Sequence, residues 1–206
     1  MITVHHLESS RSQRVLWLLE ELGVPYEVKR FARDATGRAP REYRDVHPLG
    51  KSPVIRDEDV LLAESGAIVE YLLERHGSGR LAPSPADPAR PRYLFWLHFA
   101  EGTAMAFIVT GIVLGMTPDG GGPMRDVFQT EVRRILEYVD GELGDGPWLL
   151  GGEFSAADVM MGYVVDVAER RGDLAGLPRL GGYVERLRAR PAYRRAQEIG
   201  AARASS

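Results

Sequence analysis

The feature that most constrains how this chain can fold is a break in its pattern. Up to Gly77, apolar residues come in short runs separated by turn signals. Between Gly77 and Pro91 the chain concentrates Gly77, Gly79, Pro83, Pro85, Pro88 and Pro91, and beyond it long stretches at helical spacing follow without a convincing strand. A shift of this kind, centred on Pro and Gly, marks a domain boundary. With 206 residues the chain can build two small cores. The expected division is a first domain at 1–79, a linker at 80–88 and an all-helical domain at 89–206.

Within the first part, Ile2 to Leu7 is rich in β-branched residues and reads as a strand. Ser9, Ser10 and Ser12 offer helix-capping chemistry, and Val15, Leu16, Leu18, Leu19 and Leu22 then recur at helical spacing until Gly23 and Pro25. Tyr26 to Phe31 alternates like a second strand, which implies a parallel pair with a helical crossover. A short helix near Tyr43 precedes the dense turn His47-Pro48-Leu49-Gly50-Lys51-Ser52-Pro53. Pro53 to Arg56 and Val60 to Leu62 flank Asp57-Glu58-Asp59 as a hairpin, and Glu64-Ser65 opens a helix that stops at Gly77. The order β-α-β-α-β-β-α is that of a thioredoxin-like domain of α+β class. In the second part, helical patterns cover about 89–115, 124–143, 155–170 and 178–189, with a short one from 192, and the tail Ala201 to Ser206 is expected to fray.

Composition removes whole classes of function. There are no cysteines, so disulfides, thiolate metal sites and a cysteine nucleophile are excluded, and any thiol chemistry must use a thiol brought by a ligand. The formal net charge of −3 gives no sign of a nucleic-acid or anionic-membrane partner. The longest apolar stretch, Ala104 to Met116, falls short of membrane-spanning length, and the N-terminus is too short and too broken for a signal peptide, so a cytoplasmic protein is expected. Gly-rich phosphate loops, dinucleotide fingerprints and His-Glu-x-x-His are absent. His5 and His6 are neighbours on a strand, so their rings point to opposite faces and cannot share a metal; no metal is expected.

Four segments, in this order, resemble the cytosolic glutathione S-transferases over nearly the whole chain: Ser9 to Leu22, Pro48 to Val54, Leu62 to Ile68, and Phe154-Ser155-Ala156-Ala157-Asp158. The likeness is greatest to a bacterial and fungal subgroup with a Ser-Arg pair at the first turn. The resemblance implies a transferase in which the thiolate of bound glutathione, the co-substrate, attacks a small hydrophobic electrophile, with glutathione peroxidase activity as a second capacity and detoxification as the role. It also implies a homodimer. A non-catalytic glutathione-binding or protein-interaction module with the same fold is the alternative.

The resemblance also distributes roles. Lowering a thiol pKa from about 8.5 by two units requires roughly 2.7 kcal/mol in favour of the anion. A helix N-terminus supplies perhaps 0.3–1 kcal/mol and a hydroxyl donating to an anion roughly 1.5–3 kcal/mol, so a turn with such donors suffices. Ser10, then Ser9, then Arg11 are the candidate donors; the structural alternative is that the serines only cap the helix. Glu64 and Ser65 would meet the γ-glutamyl end, Ser52 and a cis Pro53 the cysteinyl backbone, and Lys51 the glycyl carboxylate, with His47 a weaker contact. His98, Glu101 and Met105, which share a face at regular helical spacing, are candidates for the electrophile pocket. Ser155 and Asp158 form a capping pattern, and Asp158 is expected to be buried and structural.

Overall fold

The computed structural model describes residues 1–201, and most of the tail expected to fray lies outside the described residues. Two compact units are present: Met1–Leu81 together with the chain from Arg188, and Ala82–Leu187.

The first unit is built on four strands, β1 (Ile2–Leu7), β2 (Tyr26–Phe31), β3 (Val54–Asp57) and β4 (Val60–Ala63), in the order β2-β1-β3-β4. β1 pairs in parallel with β2 from Ile2↔Tyr26 to Leu7↔Phe31, and antiparallel with β3 from Ile2↔Asp57 to His5↔Val54. Flanked on both edges and covered on both faces, β1 is buried almost throughout, which suits its β-branched residues. The crossover helix α1 (Ser12–Leu22) turns Val15, Leu16, Leu18, Leu19 and Leu22 into the core. It ends because Gly23 adopts a left-handed φ of 65°, which glycine reaches without strain. There the Val24 N–H donates to the Leu19 carbonyl at 3.2 Å, and Pro25 forbids a further turn. Helix α2 (Arg41–Val46) buries Tyr43 against Leu7, Phe31 and Val54, and α3 (Ser65–His76) follows β4 directly.

The second unit holds α4 (Arg90–Phe99), a π-helical stretch at Ala100–Met105, α5 (Ala106–Gly115), α6 (Gly122–Leu143), α7 (Ala156–Arg170) and most of α8 (Pro178–Ala189). The π turn joins α4 and α5 into one run of 26 residues, Arg90–Gly115, that by length and composition reaches what a membrane crossing needs. That run is longer than the apolar stretch visible in the sequence, yet Trp96, Leu97, Ala100, Ala104 and Ile108 on it are fully buried in the protein. At the start of α7 a capping box forms: Asp158 accepts from the Ser155 N–H at 2.8 Å and from the Leu149 N–H at 3.0 Å. Tyr183 of α8 donates its hydroxyl to the same carboxylate at 2.9 Å, and Asp158 is completely buried. Burial pushes its pKa up while these donors act to lower it.

Helix α9 (Pro191–Ala201) returns to the first unit and packs along α1. Trp17 meets Tyr193 edge to face at 5.0 Å. Arg190 forks onto both oxygens of Glu21 at 2.6 and 2.7 Å. A helix leaves its last carbonyls without partners inside itself, and here donors from the first unit's body supply them. Arg30 donates to the Ile199 carbonyl at 2.7 Å and His6 Nε2 to Gly200 at 3.1 Å, and further back in the helix Gln13 Nε2 donates to the Ala196 carbonyl at 2.7 Å.

Candidate active site

Strand register brings the candidate residues together. Val54 pairs with His5 on one side and with Ala63 on the other. The end of β1, the start of β3 and the end of β4 therefore lie side by side, and the turns attached to them share one edge of the sheet. Those turns are Glu8 to Ser12, His47 to Pro53, and Glu64-Ser65.

At the first turn Ser9 is exposed and held at φ 49°, a left-handed conformation uncommon for a residue with a side chain. Arg33 braces it, donating to the Ser9 carbonyl at 2.9 Å and to the Glu8 carbonyl at 3.0 Å. Ser10 points the other way and is buried. Its Oγ lies 2.8 Å from Ser12 Oγ and 2.8 Å from Ser52 Oγ, and accepts the Ser12 N–H at 3.3 Å. Ser12 Oγ in turn lies 2.8 Å from His6 Nδ1. The residue in the N-cap position of α1 is Arg11, half-buried and without a side-chain cap.

The Ser52–Pro53 peptide is cis, as the resemblance implied. Pro53 is buried, Ser52 half-buried, and Lys51 exposed beside them. His47 sits half-buried in the same turn, and its Nδ1 is shielded without a hydrogen-bond partner. Glu64 is exposed at φ 73°, so the third of these turns, like the first, holds a non-glycine residue at positive φ. It precedes Ser65, which is buried at the first turn of α3. No side chain caps that helix, so its first N–H groups are directed at the shared edge. Backbone held in this way is often found where a ligand is gripped.

The residues assigned to the electrophile pocket are placed differently. His98 is exposed on α4, Glu101 is half-buried in the π stretch, and Met105 is buried in the core. The π stretch takes more residues per turn than an α-helix, so the regular spacing that aligned the three in sequence does not run through it. Among the described residues, no group of three or more His, Asp or Glu is placed to hold a metal ion.

Sequence reasoning missed His6, Ser12, Arg33 and Gly200. The one signal available was the strand alternation at His5-His6, which sends His5 towards Phe31 and His6 towards Ser12. Burial lowers the pKa of both histidines; Lys29 and Arg56 lower His5 further, while the Gly200 carbonyl opposes the shift at His6.

A thioredoxin-like sheet thus carries a cis-proline turn and two helix starts, one of them serine-lined, on one edge. The matches make the class specific. The model for the glutathione S-transferase N-terminal domain matches residues 1–74, and that for the C-terminal domain matches residues 87–186. The chain is 38% identical to glutathione S-transferase 3 of Schizosaccharomyces pombe, across 82% of this chain and 75% of the relative. It is 31% identical to glutathione S-transferase 1 of Saccharomyces cerevisiae, over 83% of this chain and 82% of that one. The crystal structure of a glutathione S-transferase from Actinobacillus pleuropneumoniae superposes with a TM-score of 0.88 at 32% identity, covering 97% of this chain and 93% of the other. The chain belongs to the glutathione S-transferase family.

Proposed function

We propose that this chain binds glutathione along the shared edge of its first unit and presents the thiolate at the Ser9–Ser12 turn to small hydrophobic electrophiles. The observation that carries the reading is the convergence, on one sheet edge, of the serine turn, the cis Ser52–Pro53 peptide and the Glu64-Ser65 helix start. Each suits one part of the tripeptide. An extended cysteinyl backbone matches the Ser52 N–H and C=O beside a cis proline. The exposed Glu64 carboxylate suits the γ-glutamyl ammonium, and the uncapped first turn of α3 with Ser65 suits its carboxylate. Exposed Lys51 suits the glycyl carboxylate as a point charge, with His47 beside it.

The sulfur then lies at the start of α1, where Ser9, Arg11 and the helix N-terminus are the donors to it and buried Ser10, engaged with Ser12 and Ser52, holds the turn in place. Catalysis is proximity plus stabilisation of the anion, with no covalent enzyme intermediate: the thiolate forms a carbon–sulfur bond and the leaving group departs with its electron pair. Reduction of organic hydroperoxides by the same thiolate is a second capacity. His98 and Glu101 suit contacts to the electrophile, and buried Met105 an apolar backing. In this reading the enzyme acts as a cytoplasmic homodimer. Membership of the Ser-Arg subgroup rests on Ser10-Arg11.

Conjugation of glutathione to an activated aryl halide tests the proposal. Replacing the residue that donates to sulfur by alanine should cost roughly 10- to 100-fold in rate, the worth of a hydrogen bond to a charged group. Full activity in Ser9→Ala, Ser10→Ala, Arg11→Ala and the double serine variant would remove the thiolate argument.

A further inference from the structure

We propose that His6 is a positioning residue for this site: through Ser12 it fixes a one-way chain of hydrogen bonds, Ser52 to Ser10 to Ser12 to His6, that turns the Ser10 proton away from the ligand and ties the cis-proline turn to the end of α9. The inference rests on the transferase reading only in placing a ligand at this turn.

The direction of the chain follows from its far end. The Gly200 carbonyl can only accept, so at 3.1 Å it requires the His6 proton on Nε2. His6 is 1% exposed, and burial favours the neutral ring, which carries a single N–H. Nδ1 is therefore an acceptor, and Ser12 gives it its hydroxyl proton across 2.8 Å. The rival acceptor for Ser12, the Leu7 carbonyl, is at 3.5 Å and loses by distance. With the Ser12 proton spent, the 2.8 Å contact between Ser10 and Ser12 requires Ser10 to donate. The 2.8 Å contact between Ser10 and Ser52 then requires Ser52 to donate.

Ser10 Oγ thus gives one proton to Ser12 and accepts two, from the Ser52 hydroxyl and the Ser12 N–H. A hydroxyl has no further capacity. Ser10 carries no proton for a sulfur; it acts as a strut between the first turn and Ser52, whose backbone holds the cysteinyl part of the tripeptide. The strut is anchored on α9, whose neighbouring carbonyls Ala196 and Ile199 are held by Gln13 and Arg30. The seating of the last helix is thereby transmitted to the glutathione-binding turn through one imidazole.

A double-variant cycle reads this coupling between two residues that do not touch. His6→Leu and Ser10→Ala should each raise KM for glutathione about five-fold, the worth of a hydrogen bond, with kcat within about two-fold. The double variant should be no worse than either single, His6→Asn, which keeps an acceptor near Nδ1, should recover most of the loss, and the bound thiol in Ser10→Ala should titrate where it does in the parent. Multiplying effects in the double variant, or a thiol pKa raised by about one unit in Ser10→Ala, would overturn the proposal. Nitrogen NMR of the His6 ring in the ligand-free protein decides independently of folding in the variants: a proton on Nε2 with an accepting Nδ1 supports the chain, and a proton on Nδ1 defeats it. Absence of glutathione binding to the parent in calorimetry would refute the transferase reading, while the ring-nitrogen spectrum still settles the direction of the chain.

Discussion

His5 and His6 are adjacent, yet the pleat gives them different work. His6 finds partners for both ring nitrogens, whereas those of His5 are buried beside Phe31 and lack hydrogen-bond partners. The groups facing His5 from β2 and β3 include Lys29 and Arg56, both cationic, so a charged imidazole is opposed from each side as well as by burial. Its folded pKa lies below the unfolded value of about 6.5. Above that pH neither state binds the proton; as pH falls through it, the unfolded chain takes up a proton the folded one refuses, and stability drops by up to about 1.4 kcal/mol per pH unit for the group. His6 is shifted the same way. Denaturant midpoints at pH 8 and pH 5.5 should show the parent weakening on acidification and His5→Leu weakening less; equal losses would mean that the buried ring plays no part. At this scale the turns that make up the candidate site were legible, because Ser9, Ser52, Pro53 and Glu64 sit in segments with strong turn and cap signals. The orientation of Ser10 was not: a hydroxyl chooses its partner in space, and Ser52 and His6 are brought to it by strand register.

Element boundaries were largely written in the pattern, with β1 at Ile2–Leu7, β2 at Tyr26–Phe31 and α8 at Pro178–Ala189, since β-branched runs, glycine stops and proline starts act locally. Two features were not. The π stretch at Ala100–Met105 inserts no signal that periodicity could catch, and it interrupts the regular spacing on which His98, Glu101 and Met105 were grouped. The docking of α9 on α1 is flanked by the pair of Glu21 with Arg190, the residue just before α9, more than a hundred residues apart in the chain and so invisible to local pattern. The Glu21 side chain is 8% exposed and accepts a two-pronged guanidinium as well as the Trp17 indole N–H at 2.9 Å. Removing it takes two charge-assisted hydrogen bonds and the indole hydrogen bond out of this contact, so Glu21→Ala should destabilise the seating of α9 by about 1–3 kcal/mol. The pair of Arg195 with Glu20 at 2.7 Å is screened by solvent at the arginine, so Arg195→Ala should change little. Hydrogen exchange across α9 distinguishes the two: amides there should exchange faster in Glu21→Ala alone, and equal protection in both variants would show that the fork does not hold the helix.

For the molecule as a whole, the surface of the second unit makes the strongest demand. Phe95 is 44% exposed and Tyr138 43% exposed, and they pack on each other and on Trp96 and Phe99 with ring centroids 5.0 to 6.2 Å apart. Rings already fixed by their neighbours lose little entropy on being covered, and exposed aromatic clusters of this kind mark interfaces. A second copy of the chain fits the proposed homodimer: a closed two-fold contact buries one patch twice and leaves no second surface open to further growth. The aromatic cluster is bordered by Arg92 and Glu142, joined at 2.9 Å, which gives the apolar patch a polar rim. Sedimentation at micromolar concentration should therefore give twice the 22.8 kDa of the chain. Phe95→Asp and Tyr138→Asp place a charge at the centre of the buried patch, where it would lose its hydration without a partner, and each should shift the protein to the monomer. Because both side chains are outside the core, the variants should keep the parent's helical circular dichroism. A parent that sediments as a monomer, or variants that remain dimeric, would put the interface elsewhere on the surface or remove it from the account of how this transferase works.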